Sequence, residues 1–284
     1  MRMYKKILVA IDGSESSMHS LRESFKLAAN EKSWITVVSV APSYEGDLAT
    51  TAIGNIQKAI REPCEKALLK AEEMAKAERV LIKTVCEEGE PYKGVVDLAE
   101  AENCDLIVMG RKGASRLERA LMGSVTARVI GHSQKDVLVI PENAKIGWKS
   151  VLLPTDGSKF SEVAVNKAIE FVKSYGGEIK AISVVDVTEE FMARAPGVVE
   201  DLVRKAKNVV ENVKKKASSE GIKAEGFVRE GEAYKVIIDI AKDQKTDSII
   251  IGSHGRTGLK RLLMGSVTER VIGHAPCPVL VVKT

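Results

Sequence analysis

The sequence predicts a parallel α/β architecture carried twice in one chain, and three observations predict it. The decapeptide GSVTARVIGH at Gly123 returns as GSVTERVIGH at Gly265, with nine of ten letters the same. KKILVAIDGSESS at Lys5 returns as KSVLLPTDGSKFS at Lys149, and EGEPYKGVVDLAE at Glu88 returns as EGEAYKVIIDIAK at Glu230. Between these landmarks, short β-branched apolar runs alternate with stretches of helical period, the pattern of buried parallel strands covered by helices.

The two decapeptides start 142 residues apart. That period is too long for a solenoid repeat, so each copy has to build its own core. We read domains at 1–141 and 149–284, with residues 142–148 of PENAKIGWK as the linker. A connection this short keeps the halves close and predicts an internal pseudo-dimer, with a further homodimer of chains left open.

Taken in order, Ile7 to Ile11 is a continuous apolar run that reads as a doubly buried strand. It stops at Asp12-Gly13-Ser14, a turn that supplies capping side chains to the helix after it. In the second copy that helix shows Ala164, Ala168, Phe171 and Val172, an i, i+4, i+7, i+8 stripe. Trp34 to Val40 and Ile179 to Val185 read as the second strands. Variable stretches follow (41–56 and 186–197), then a long charged helix such as Val198 to Ser218. Leu81 to Val85 and Ala224 to Val228 read as the third strands, and Tyr92 to Glu102 as a short helix. Leu106 to Met109 is the fourth strand, and Val137 to Ile140, matched by Val279 to Val282, the fifth.

Composition excludes several classes of function. With 43 basic and 39 acidic residues the net charge is only +4, and aromatics are 4%, so nucleic acid is not an expected partner. Lys214-Lys215-Lys216 reads as a solvated helix face. The apolar run near the N-terminus is broken by Asp12, and no stretch approaches membrane-spanning length, so neither a signal peptide nor a membrane partner is expected. Cys64, Cys86, Cys104 and Cys277 form no CxxC pair and read as reduced thiols of a cytoplasmic protein. His274 and Cys277 are three apart, but prolines flank the cysteine and no second ligand pair is near, so no metal site is expected.

Ligands of parallel α/β sheets bind beyond the carboxyl ends of the strands, where strand order reverses. The fourth strand is followed by GRKGASRLERALMGSVT from Gly110, and its partner by GSHGRTGLKRLLMGSVT from Gly252. Both read G-x2-G-x9-G-S. The first two glycines, Gly110 and Gly113 or Gly252 and Gly255, permit a tight turn and close approach of backbone to a ligand. The last, Gly123 or Gly265, opens the final helix, whose free N–H groups and dipole favour an anion. Ser124 and Ser266 are placed to cap that helix or donate to the anion, with Thr126 and Thr268 two residues further in. A bracketed surface loop would use such glycines too, but the full spacing, repeated after two buried strands, favours phosphate.

The whole pattern resembles the universal stress protein family, in its tandem, ATP-binding branch. The resemblance spans nearly all of both copies, and G-x2-G-x9-G-[ST] is that family's nucleotide motif. It implies, for each copy, five parallel strands in the order 3-2-1-4-5, a Rossmann-like domain of the adenine nucleotide α-hydrolase type. Pairing through the fifth strands is implied as well. Carried over residue by residue, Asp12 and Asp156 take the adenosine end, where a carboxylate suits ribose hydroxyls; a helix N-cap is the alternative for both. Val40 and Val184 would present backbone to adenine. Phosphates fall to Gly110, Gly113, Gly123, Ser124 and Val125, and to Gly252, Gly255, Gly265, Ser266 and Val267. His254, between the motif glycines, is placed to touch them, and Arg111 and Lys112 stand where the second copy has Ser253 and His254.

No nucleophile, base and orienter can be assembled from spacing, and no residue is assigned a catalytic role. His132 and His274 follow the glycine that ends a short helix, a position explained by capping. The expected function is therefore ATP binding by a stress-response regulator, with Mg²⁺ arriving on the nucleotide's own phosphates. The alternative is a slow ATP-hydrolysing or nucleotidyl-transferring enzyme on the same scaffold.

Overall fold

The first apolar run forms strand β1 (Lys6–Ala10), and Ile7, Leu8 and Val9 at its centre are fully buried. The chain continues through α1 (Glu15–Glu31), β2 (Trp34–Ala41), α2 (Ile53–Ala77), β3 (Ile82–Glu88), α3 (Pro91–Ala101), β4 (Leu106–Gly110), α4 (Ser124–His132) and β5 (Asp136–Ile140). The second copy runs β6 (Ser150–Pro154), α5 (Lys159–Tyr175), β7 (Glu178–Val185), α6 (Glu189–Arg194), α7 (Pro196–Ser219), β8 (Lys223–Glu230), α8 (Ala233–Asp243), β9 (Ser248–Gly252), α9 (Ser266–His274) and β10 (Val279–Val282). The structure, a computed structural model, describes residues 3–43, 53–113, 122–255 and 264–283. It divides into two units, Arg2–Asn143 and Ala144–Thr284.

In the first unit the strands lie in the order β3-β2-β1-β4-β5, all parallel. The second unit has β8-β7-β6-β9-β10, also parallel. This is the 3-2-1-4-5 order implied by the resemblance. Both units therefore switch direction at the first strand, which leaves a crevice beyond its carboxyl end. The expected helical stripe is real: Ala164, Ala168, Phe171 and Val172 of α5 are all buried. Trp148, just before β6, stacks on Phe171 with ring centroids 4.2 Å apart. No described helix is long and apolar enough to cross a membrane.

Three local features go beyond the sequence reading or correct it. The stretch 186–197, read only as variable, holds α6, because the Thr188 hydroxyl accepts from Phe191 N (3.2 Å) and caps one and a half turns. Helices α4 and α9 do not end at Gly131 and Gly273 but run on to His132 and His274. Each histidine Nδ1 sits 2.8 Å from the carbonyl four residues back, Arg128 O or Arg270 O, which closes the last turn.

The thiols are the third correction. Cys64 and Cys86 are joined by a disulfide that ties α2 to β3, with Cα atoms 6.2 Å apart. Their separation of 22 residues along the chain hides this proximity, which only the packing of α2 across β3 creates. Cys104 and Cys277 are free and buried. Burial pushes both thiols up to about 11, with the Glu102 carboxylate adding to the effect at Cys104. Thiolate is the reactive form, so alkylation of these two at pH 8 should be slower than for an unfolded thiol by roughly two orders of magnitude. Without reductant, the folded chain should take up no label, denaturation should expose two thiols, and added reductant should raise the count to four. Four labelled cysteines without reductant would contradict the pairing.

Candidate functional site

The crevice is built first from the turn after each leading strand. Gly13 (φ 79°) and Gly157 (φ 76°) take left-handed backbone that other residues reach only with strain. The next residue caps the following helix: Ser14 Oγ accepts from Ser17 N and Ser158 Oγ from Ser161 N. The N-cap role considered for the aspartates thus belongs to the serines. Asp12 Oδ1 instead accepts from Ser14 N (3.1 Å) and Ser14 Oγ (2.6 Å), and Asp156 Oδ1 accepts from Ser158 N (2.9 Å). These are Asx turns, which hold the carboxylate through Oδ1 and set the direction of Oδ2. That oxygen faces the glycine motif: a Cβ on Gly113 would fall 2.5 Å from Asp12 Oδ2, and one on Gly255 would fall 3.0 Å from Asp156 Oδ2.

The glycine segment returns on itself. Gly123 N donates to Arg111 O (2.9 Å), and Gly265 N donates to Ser253 O (3.0 Å). Buried Thr126 and Thr268 then donate through Oγ1 to the carbonyls of Gly110 (3.2 Å) and Gly252 (3.0 Å). Each threonine pins the start of α4 or α9 to the end of β4 or β9. The sequence placed these threonines near the site without showing that they lock it. The helix N-caps are Gly123 and Gly265, with no side-chain cap, so Ser124 and Ser266 are the first helical residues rather than caps. Among the described residues no side chain caps the amides of the first turn, the groups a helix N-terminus can offer an anion. The segments 114–121 and 256–263, inside the motif, lie outside the described residues.

Seven residues singled out in the first copy line one cavity of about 220 Å³: Asp12, Val40, Gly110, Gly113, Gly123, Ser124 and Val125. Those of the second, Asp156, Val184, Gly252, His254, Gly255, Gly265, Ser266 and Val267, line one of about 390 Å³. The first is smaller where Pro91, Met109 and Lys112 replace Ala233, Ile251 and His254. Both have an apolar end, formed by Val38, Val40 and Val95 or by Ile182, Val184 and Ile237. Sequence reading missed this slot; the repeated motif EGE-x-Y, which opens α3 and α8, was the available signal. Arg111 lies beside the first cleft, and burial lowers its guanidinium from the ordinary value.

Strand geometry aims backbone into the same space. Val38 O accepts from Ile11 N, whereas Ala41 O accepts from Gly89 N on the opposite side. Alternation along the strand therefore points the N–H and C=O of Val40 toward β1, past the residue where β1 has ended. Thr155 N to Ile182 O and Gly231 N to Val185 O place Val184 in the same way.

The second half of the decapeptide has another task. Arg128 pairs with Glu90 (2.6 Å) and Arg270 with Glu232 (2.8 Å), which joins the decapeptide to the EGE-x-Y motif in each unit. The same guanidiniums lie over Tyr92 and Tyr234, at 5.4 and 5.1 Å. His132 and His274 pack on these tyrosines with centroids 4.7 and 5.2 Å apart. Neither histidine lines its cavity. His254 does, with Nδ1 3.2 Å from Ser253 Oγ and its ring against Phe160.

This architecture has known counterparts. A universal stress protein of Methanocaldococcus jannaschii is 40% identical over 148 residues, covering 51% of this chain and 87% of its own length. One from Mycolicibacterium smegmatis is 24% identical over 287 residues, 98% of this chain and 96% of its own. The crystal structure of a universal stress protein from Archaeoglobus fulgidus shares the fold, with a TM-score of 0.73, 23% identity, and coverage of 98% and 96% of the two chains. The universal stress protein family model matches residues 3–141 and again 147–283. With both copies of the repeat matched, the chain belongs to the universal stress protein family.

Proposed function

We propose that each domain binds one adenine nucleotide, ATP with Mg²⁺ on its phosphates, and that occupancy regulates the protein rather than feeding turnover. The observation that carries this reading is Gly265, with its counterpart Gly123. Both have φ near −65°, which any residue adopts, and a Cβ at either would find its nearest neighbour at 3.4 and 3.6 Å. Among the described residues, neither backbone conformation nor packing calls for glycine there. Close approach of a ligand to the open helix N-terminus does. In this reading the phosphates lie on the amides of Ser124 and Val125 or of Ser266 and Val267. The ribose hydroxyls donate to Asp12 or Asp156. Adenine fills the apolar slot and pairs with the backbone of Val40 or Val184.

The aspartate assignment separates two ligands. Asp156→Ala should weaken ATP binding at the second site by about tenfold or more, the loss of charged hydrogen bonds to a sugar. Inorganic triphosphate, which has no sugar, should bind as before. Calorimetric titration of both ligands checks this, and equal losses would place the carboxylate elsewhere. ATP should also raise the melting temperature without steady release of ADP or AMP. Steady release that disappears in Gly265→Val would replace the regulatory reading with the hydrolytic one.

A further inference from the structure

One corner of the first domain departs from its own duplicate at four positions. Helix α1 ends on Lys32 (φ 53°), where α5 ends on Gly176 (φ 70°). Arg79 (φ 55°) precedes β3 where Gly221 (φ 73°) precedes β8. Glycine takes this left-handed conformation freely, whereas a residue with a Cβ is strained in it. Beside them, Trp34 and Leu81 are 70% and 83% exposed, one step before the register pair Ile35–Ile82. Their counterparts Glu178 and Lys223 are themselves a register pair, closed by a 2.8 Å ion pair. The first domain thus replaces two glycines and an ion pair with two strained cations and two bare apolar side chains. The four wall a groove of about 540 Å³ together with Phe25 and Ala28. Glu78, next to Arg79, is engaged with Arg22 at 3.6 Å. Neither Lys32 nor Arg79 has an acidic partner among the described residues.

Strain combined with exposed apolar surface marks a surface shaped for contact. Its complement lies elsewhere on the same chain. Among the described residues, the other large exposed apolar side chains are Leu69, Phe191 and Val198. Phe191 and Val198 sit in the stretch 186–201, which holds five acidic residues and one basic. Glu189 and Glu200 form no ion pair among the described residues, and none of the residues of α6 is buried. A helix with no buried residue and an exposed Phe between carboxylates fits a groove with an exposed Trp between cations.

We propose that the Lys32–Trp34–Arg79–Leu81 corner docks α6 and the start of α7 of a second copy of this chain. The two surfaces differ, so the contact is heterologous and propagates to species beyond a dimer unless it closes a ring. Aromatic anchors supply most of the affinity and the charges set register and partner choice.

Sedimentation velocity of the full chain over a range of concentrations tests this. The native chain should show species larger than a dimer at high concentration. The fourfold variant Lys32→Gly, Trp34→Glu, Arg79→Gly, Leu81→Lys installs the quartet that the second domain already carries on the same backbone, so it should fold. Its association should weaken by at least about tenfold. Lys32→Glu with Arg79→Glu should weaken association as well, as should Glu189→Lys with Glu200→Lys, and joining the two pairs in one chain should restore it. The Glu189 and Glu200 pair is exposed and keeps the test alive should the graft misfold. A chain monomeric at every concentration, a graft that associates like the native chain, or reversed pairs without recovery would each overturn the proposal.

Discussion

Gly252→Ala should destabilise the second domain by about 1–3 kcal/mol or more, whether or not nucleotide is present. A Cβ at this position would lie 2.7 Å from Phe160 O and 2.8 Å from Phe160 C, both backbone atoms of the first turn of α5. A flexible side chain moves away from such a clash, but a helix backbone packed on β9 has to carry the helix with it. Gly110→Ala should act likewise in the first domain, where Ser16 C and O would lie at 2.9 Å. Denaturant unfolding measures the effect as a lower midpoint at unchanged slope. Unaltered midpoints for both variants would mean that the helices yield more easily than their packing indicates.

Gly265→Ala should do the reverse, and the contrast separates fold from function. The nearest atom to its Cβ, His254 Cα, is 3.4 Å away, an ordinary contact. Loss of stability should stay near or below about 1 kcal/mol, the penalty for Ala at a helix N-cap. The added methyl nevertheless projects into the mouth of the cleft, near Ser253 O and Gly255 N. Nucleotide affinity at the second site should fall by tenfold or more, about 1.4 kcal/mol per factor of ten, and further with Val. Comparing melting with titration on the same preparation decides this. Retained affinity would remove the phosphates from the helix N-terminus.

The fold was legible in the sequence because its signals are local and written twice. A doubly buried strand such as Leu106–Gly110 needs a continuous apolar run, and the repeat removes the ambiguity of any single run. The glycine spacing was legible for the same reason, since its first two glycines follow a buried strand, its last opens a helix, and the whole pattern occurs twice. What escaped reading depends on contacts between distant segments. The hydroxyl of Thr126 reaches the carbonyl of Gly110, 16 positions back in the sequence, and nothing in its neighbours announces the bond. The Cys64–Cys86 disulfide needs α2 laid across β3. Two roles suit an acidic residue before Gly-Ser, and only the Ser14 hydroxyl bonded to Ser17 N shows that the N-cap is Ser14 and not Asp12. Trp34 reads as an ordinary strand residue until Leu81 is seen beside it with Lys32 and Arg79.

Calorimetric titration of the full chain with Mg-ATP measures whether each domain holds one nucleotide at its glycine cradle. Two nucleotides per chain are expected. The tighter belongs to the larger cleft around Gly252 and Gly265 and is lost in Gly265→Val, leaving the other in place. A chain that takes up no nucleotide, or a Gly265→Val variant that still binds two, would contradict it.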